Sequence, residues 1–145
     1  MPKTTAEWII LVIRLVVGGI FVYASIDKIF NPDQFAKIIH NYRILPPDLI
    51  NVMAIVTPWF EFTAGVCMIT GFKYRGASLI IAVMLAIFTV AMSSAYIRGL
   101  NINCGCFSTS SFSESDLLAR AIEDILLLIG SIIILFKTSI TRRFA

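Results

Sequence analysis

Charged side chains are scarce in this chain of 145 residues, of which Asp, Glu, Lys and Arg together make up only 14%. Apolar residues account for 58%, and the mean hydropathy is +0.87. A soluble domain of this size has too little interior to bury so much apolar surface. The composition therefore excludes an ordinary soluble globule and predicts a polytopic membrane protein without a separate soluble domain.

Side chains that bind metal ions are also few. The chain has one histidine, His40, and three cysteines, of which Cys67 lies within an apolar run. A structural zinc site needs four protein ligands, so we expect no metal, and Cys67 is expected to fill space as a small apolar residue. The net charge of +3 is small and its basic residues flank apolar runs, so no nucleic-acid partner is expected.

Four apolar runs are long enough to cross the bilayer, which takes about 20 helical residues. These predicted spans are Trp8–Ile26, Ile50–Thr70, Gly76–Ile97 and Leu117–Phe136. Between the first two, apolar residues recur at helical spacing after Asn31-Pro32 and before Pro46-Pro47; they are Phe35, Ile38, Ile39, Tyr42 and Leu45. We therefore predict one all-α domain over residues 1–145, an integral membrane four-helix bundle with a short amphipathic helix between spans 1 and 2.

The basic residues outside the spans predict the orientation of the chain. Six lie on the side of the termini and four on the other side, the first set being Lys3, Lys73, Arg75, Lys137, Arg142 and Arg143 and the second Lys28, Lys37, Arg43 and Arg98. Lys and Arg are enriched in cytoplasmic connections. We expect a multi-pass protein of the inner membrane with both termini cytoplasmic and the connection before the fourth span in the periplasm.

Five charged residues fall inside the predicted spans: Arg14, Glu61, Arg120, Glu123 and Asp124. Each costs roughly 2.5–3.5 kcal/mol at the centre of a membrane helix, so each is expected to face the bundle. Their depths predict one buried network of charges that runs inward from the outer face. Two arginines oppose three carboxylates, which predicts a protonated carboxyl or a further cation. The alternative is an ion-pair lattice that only determines helix packing.

The most reactive residues in the sequence are Cys104 and Cys106, which are separated by one glycine in the predicted periplasmic connection. They precede the N-terminus of the fourth span, and Arg98 is nearby; both features favour thiolate over thiol. A disulfide across one intervening residue closes a small strained ring and should be easily reduced. The pair therefore suits electron transfer better than structural cross-linking.

Several motifs together resemble the MauE branch of the DoxX-like membrane proteins. In chain order they are Arg14…Gly18-Gly19…Phe21…Lys28, Pro32…Phe35…Tyr42…Leu45-Pro46, Pro58-Trp59…Glu61…Gly65…Gly71 and Arg98-Gly99…Cys104-Gly105-Cys106-Phe107. The family's Cys-Gly-Cys-Phe-Gly ends here in Ser108. The resemblance implies a four-helix membrane bundle associated with methylamine utilisation and with maturation of a disulfide-rich periplasmic dehydrogenase. Its DoxX-like side implies a link to quinone chemistry.

These observations predict a membrane thiol–disulfide oxidoreductase. Cys104 and Cys106 would be the catalytic residues and exchange electrons with a periplasmic thioredoxin-like or disulfide-containing client protein. Glu61, Glu123 or Asp124 would handle protons, and Arg14 and Arg120 would tune them. By analogy with the DoxX-like proteins, the resemblance implies a quinone as electron carrier, with Trp59 and Phe107 as aromatic candidates to contact it.

Two other classes of function fit the same sequence. One is a non-catalytic membrane subunit that docks or assembles a redox partner. The other is a small transporter or proton conductor that uses the buried charges as its path. The chain has no internal repeat, whereas many transporters consist of repeated halves, so conduction is the weaker of the two.

Overall fold

The structure, a computed structural model, describes the backbone of residues 5–100 and 115–143 and the side chains of residues 5–100 and 121–136. Within these ranges the chain forms helices joined by short turns. The helices are α1 (Thr5–Phe30), α2 (Pro32–Asn41), α3 (Pro47–Thr70), α4 (Tyr74–Ile97) and α5 (Ser115–Arg143). Three of them, α1, α3 and α4, are long and apolar enough to cross a membrane. The predicted all-α membrane fold is thus confirmed. Helix α5 contains the fourth predicted span, whose crossing of the membrane stays a prediction.

The short helix predicted between the first two spans is α2, and proline positions define its surroundings. Pro32 begins α2 and Pro47 begins α3, at positions where the missing N–H of proline has no helical partner to lose. Helix α2 buries Phe35 and Ile38, and Tyr42, directly after the helix, is buried as well. The predicted apolar stripe therefore packs against the bundle, and α2 covers one end of it. We call this end, where α1 and α4 finish and α3 begins, the α2 end.

Helices α1 and α3 run antiparallel and approach each other very closely at Gly18 and Gly65. A Cβ atom added to Gly18 would lie 2.9 Å from the Gly65 carbonyl oxygen, and one added to Gly65 would lie 2.9 Å from the Gly18 oxygen. Small residues at such a crossing allow the two backbones to meet, as is common in membranes. Above and below this contact, Val17, Phe21 and Met68 pack into the main apolar core.

At the α2 end a second apolar cluster joins α2 to α4. Ile38 and Tyr42 pack there against Met92 and Ala95. The guanidinium of Arg98, just after α4, donates a hydrogen bond to the Tyr42 carbonyl oxygen. The connection between α4 and α5, residues 98–114, therefore begins at the α2 end, where this hydrogen bond holds Arg98.

The close approach of α1 and α3 predicts different outcomes for two adjacent glycines. Gly18→Ala should lower the free energy of unfolding by about 1–3 kcal/mol, because the new methyl group meets backbone that must shift. Gly19→Ala is the matched control, since no atom lies within 4 Å of its Cβ position. Thermal unfolding in detergent, followed by circular dichroism, measures both. Equal unfolding temperatures for the two variants would contradict the close contact.

Candidate functional site

A buried ion pair joins α1 to α3 near the α2 end. The ammonium Nζ of Lys28 donates to both carboxylate oxygens of Glu61, at 2.8 Å to Oε1 and 2.9 Å to Oε2. The two side chains are only 1% and 4% exposed. Such a pair stabilises a fold only when its geometry satisfies both ions, since each has lost its water. Here the ammonium and both carboxylate oxygens are paired.

Two aromatic rings from other helices enclose the same ammonium. Nζ of Lys28 lies 5.1 Å from the ring centroid of Phe35 in α2 and 5.3 Å from that of Phe88 in α4. Both distances are within the range of cation–π attraction, which extends to about 6 Å from a ring centroid. The ammonium group of Lys28, a residue of α1, therefore contacts side chains from α2, α3 and α4.

Helix α5 adds a second carboxylate to this region. Asp124 is 1% exposed, and within the described part of the chain neither of its carboxylate oxygens has a hydrogen-bond partner. It lies within electrostatic range of Lys28 and of Glu61. We call Lys28, Glu61 and Asp124 the ionic site. It contains one cation and two carboxyl groups, and the cation is already bonded to Glu61.

Tyr42 lies next to the ionic site from the side of α2. Burial raises the pKa of its phenol well above the usual value, and Asp124, when it is ionised, acts in the same direction. The phenol is therefore neutral at every physiological pH.

Arg14 does not belong to the ionic site, although the sequence predicted it in the same network as Glu61. Its guanidinium donates to the Met68 carbonyl oxygen through Nε at 3.2 Å and Nη2 at 3.0 Å, and stacks on Tyr74. The last carbonyl groups of a helix lack intrahelical partners and carry partial negative charge. Met68 is seven residues, or about 10 Å, from Glu61 along α3. Arg14 thus satisfies the C-terminal end of α3, at the opposite end of the bundle.

The structure also places Gly71 against Arg14. Gly71 ends α3 with φ of +81°, and its N–H donates to the Cys67 carbonyl oxygen. A Cβ atom at this position would lie 2.7 Å from Nη2 of Arg14. The left-handed backbone favours glycine here, and a larger residue would also have to displace the guanidinium of Arg14.

The remaining predicted site residues divide into described and undescribed ones. Glu123 lies on the exposed side of α5, one residue before Asp124. Trp59 is 55% exposed on α3 and packs edge-to-face on Phe62. Cys104, Cys106 and Phe107 and the side chain of Arg120 lie outside the described residues.

Lys28 was not predicted from the sequence to be the partner of the buried carboxylates. It was assigned to the outer connection because it follows the first apolar run. A signal was present: Val17, Phe21, Ala24 and Lys28 follow one another at helical spacing, and all four are buried. The lysine continues the core-facing stripe of α1.

A cavity of about 420 Å³ lies beside the ionic site, between α2, α3 and α4. Its lining is apolar except for Tyr42 and Thr57, and includes Phe60 and Met84. Phe35 and Phe88, the rings that flank Lys28, also line it. This volume falls within the range of small-molecule sites, roughly 300–1,000 Å³. The cavity and the ionic site are therefore separated by one layer of aromatic side chains.

Comparison with known proteins identifies the family. The family model described as methylamine utilisation protein MauE matches residues 6–137. The chain belongs to the MauE family. Among curated proteins, MauE of Paracoccus denitrificans is 29% identical over 96 residues, which are 66% of this chain and 52% of that protein. MauE of Methylophilus methylotrophus is 28% identical over 104 residues, which are 71% of this chain and 53% of that protein.

The chain spans about half the length of these curated relatives. No solved structure matches it. The family membership expected from the motifs is confirmed, whereas the DoxX-like relationship stays a prediction.

Removal of one member of the Lys28–Glu61 pair should be more harmful than removal of both. Lys28→Met leaves an unpaired buried carboxylate and should lower the free energy of unfolding by about 3–5 kcal/mol. The double variant Lys28→Met/Glu61→Leu should recover most of that loss, because no charge of the pair remains buried. Unfolding of the purified variants in detergent, at one pH and salt concentration, measures both.

Lys37→Met is the matched control for this pair of variants, since Lys37 lies on the exposed side of α2. Its effect should be within about 0.5 kcal/mol of zero, as for most surface substitutions. A Lys28→Met variant as stable as Lys37→Met would show that the ion pair does not form.

Proposed function

We propose that this MauE-family protein is a membrane thiol–disulfide oxidoreductase that serves methylamine utilisation, the process named in its relatives' descriptions. Cys104 and Cys106 are its reacting residues. Their partner is a periplasmic thioredoxin-like protein or a client protein that contains disulfides. The termini lie in the cytoplasm and the cysteine segment in the periplasm.

The observation that carries this proposal is the Cys104-Gly105-Cys106 motif between α4 and α5. Two thiols with one residue between them can form a strained, reducible disulfide. Family membership supports the reading, since the matched region, residues 6–137, includes both cysteines.

The arrangement of the helix ends supports the same function. The segment that carries the cysteines starts after α4 at the α2 end, where Arg98 is bonded to the Tyr42 carbonyl oxygen. It finishes where α5 begins, nine residues before Asp124. The thiol pair is thus connected on both sides to helices that reach the ionic site within a few turns.

The exchange reaction balances in two steps. One thiolate attacks a sulfur of the partner's disulfide, which forms a mixed disulfide and releases one partner thiolate. The second thiolate of the chain then attacks the mixed disulfide, which closes the Cys104–Cys106 bond and releases the other partner thiolate. Two electrons pass to the partner, and the same steps in reverse oxidise a client dithiol.

The cavity beside the ionic site fits a quinone, the two-electron carrier that we propose to complete the cycle. The lining is apolar and aromatic, and Tyr42 and Thr57 supply polar groups. Phe35, Phe60 and Phe88 would hold the ring. A bound quinone supplies the acceptor for two electrons and two protons from a dithiol, and its quinol supplies the donor.

The cysteine requirement is tested by the redox state of the thiols. The protein in lipid nanodiscs is reduced, desalted, and mixed with oxidised thioredoxin or with a short-chain ubiquinone. Free thiols are then counted by the mass added by a maleimide reagent. The wild type should lose two of its three free thiols, while Cys67→Ser, the matched control, should lose both that it has.

Cys104→Ser and Cys106→Ser should each fail to form an intramolecular disulfide. Wild-type protein that keeps all three thiols with both reagents would overturn the oxidoreductase proposal. Full client maturation in cells that carry the Cys104→Ser/Cys106→Ser variant would overturn it in favour of a docking subunit.

A further inference from the structure

We propose that Asp124 is a proton-binding site in the core of the bundle, and that Asp124 and Glu61 compete for the single ammonium group of Lys28. In the described arrangement Lys28 is paired with Glu61, and Asp124 holds a proton. The burial of Asp124, its lack of a hydrogen bond among the described residues and the charges around it support the proton site. Only its use, to accept or supply a proton when the thiol pair changes redox state, rests on the proposed function.

Among the described residues, the carboxyl group of Asp124 has no hydrogen-bond partner. Both of its oxygens are buried and lack a hydrogen bond within the described part of the chain. A carboxylate without water, hydrogen bonds or its own counter-ion is strongly disfavoured, and such a group takes up a proton instead. Neutral Asp124 is the charge state that this environment accepts.

The described groups around Asp124 carry more negative than positive charge when all of them are ionised. Lys28 of α1 is its cation, while Glu61 of α3 and Glu123 of α5 add negative charge. Tyr42, after α2, contributes a neutral phenol. Helix α4 has no charged residue from Gly76 to Ile97. Among the described side chains, one ammonium therefore serves both buried carboxyl groups, and Glu61 already accepts two hydrogen bonds from it.

A proton, rather than a metal cation, supplies the missing positive charge at this site. The ammonium of Lys28 already occupies the position of a cation beside the two carboxyl groups. A sodium ion placed there would be repelled by it in a medium of low dielectric constant. A proton on Asp124 removes the excess negative charge without adding a second cation.

The competition has a structural consequence. Loss of the proton from Asp124 creates a second carboxylate that attracts Lys28 away from Glu61. Because Lys28 also contacts Phe35 and Phe88, a shift of its ammonium group changes the two rings that line the cavity. Proton binding at Asp124 and ligand binding in the cavity are therefore coupled through one side chain.

Infrared spectroscopy of the protein in nanodiscs tests the proposal directly. A protonated carboxyl group has a C=O stretch that is distinct from carboxylate bands and shifts in D2O. At pH 7 the wild type should show one such band, and labelling with aspartate that carries carbon-13 in its side-chain carboxyl should shift it. The labelled wild type makes the test independent of any variant's folding. No aspartate-derived band at pH 7 would overturn the proposal.

Three variants assign the band. Asp124→Asn should remove it, while Glu123→Gln, the matched control on the adjacent residue, should retain it. Glu61→Gln should also remove the band, although Asp124 is intact, because Lys28 is then available to pair with ionised Asp124. A band that persists in Asp124→Asn would overturn the assignment, and one that persists in Glu61→Gln would overturn the competition for Lys28.

Two further measurements separate this proposal from its rivals. In the Cys104→Ser/Cys106→Ser variant the band should remain, which distinguishes failure of the proton site from failure of the redox function. The unfolding temperature should be the same in sodium chloride and in choline chloride of equal ionic strength. If sodium specifically stabilised the wild type and this effect were lost in Asp124→Asn, the proton proposal would be overturned, because a metal cation would then occupy the site.

Discussion

The interaction on which the rest of the described structure depends is the buried pair of Lys28 and Glu61. It ties α1 to α3, and the same ammonium lies between Phe35 of α2 and Phe88 of α4, with Asp124 of α5 in electrostatic range. In an apolar interior an ammonium group needs its partners close and complete. Nζ of Lys28 therefore interacts with side chains of the other four helices near the α2 end.

The two ends of the bundle use charge differently. At the α2 end, opposite charges are paired away from solvent and next to a cavity. At the other end, Arg14 donates to a backbone carbonyl of α3 and stacks on Tyr74, so its positive charge interacts with the C-terminal end of a helix. The chemistry that we propose is concentrated at the α2 end. The sequence predicted Arg14 in one continuous network of buried charges, whereas the structure gives it a packing role at the opposite end.

Much of this fold could be predicted because the membrane restricts the choice of structure. In lipid every backbone polar group must be bonded within the chain, so a long apolar run becomes a helix. The predicted spans lie within α1, α3, α4 and α5, and the predicted stripe of Phe35 and Ile38 is the buried face of α2. The inward positions of Glu61 and Asp124 follow from the same cost of exposing charge to lipid.

The pairing of those charges could not be predicted in the same way. Lys28 stands at the end of an apolar run, where a long side chain can extend to the headgroups as readily as it can turn inward. Only the packing of α2 and α4 around it, through Phe35 and Phe88, decides between the two. The acceptor for Arg14 is a backbone carbonyl, which residue type does not reveal. The relation of Cys104 and Cys106 to the ionic site lies outside the described residues.

If Cys104 and Cys106 exchange electrons as proposed, one of them forms a transient disulfide with a partner protein, and this bond can be trapped. In a cell that carries Cys106→Ser or Cys104→Ser, no second thiolate is present to attack the mixed disulfide and release the partner, so a mixed disulfide should accumulate in one of the two variants. Mass spectrometry should then find a periplasmic thioredoxin-like or disulfide-containing protein attached to Cys104 or Cys106, and nothing attached to Cys67. The absence of any mixed disulfide in both variants, with client maturation unchanged, would contradict the account.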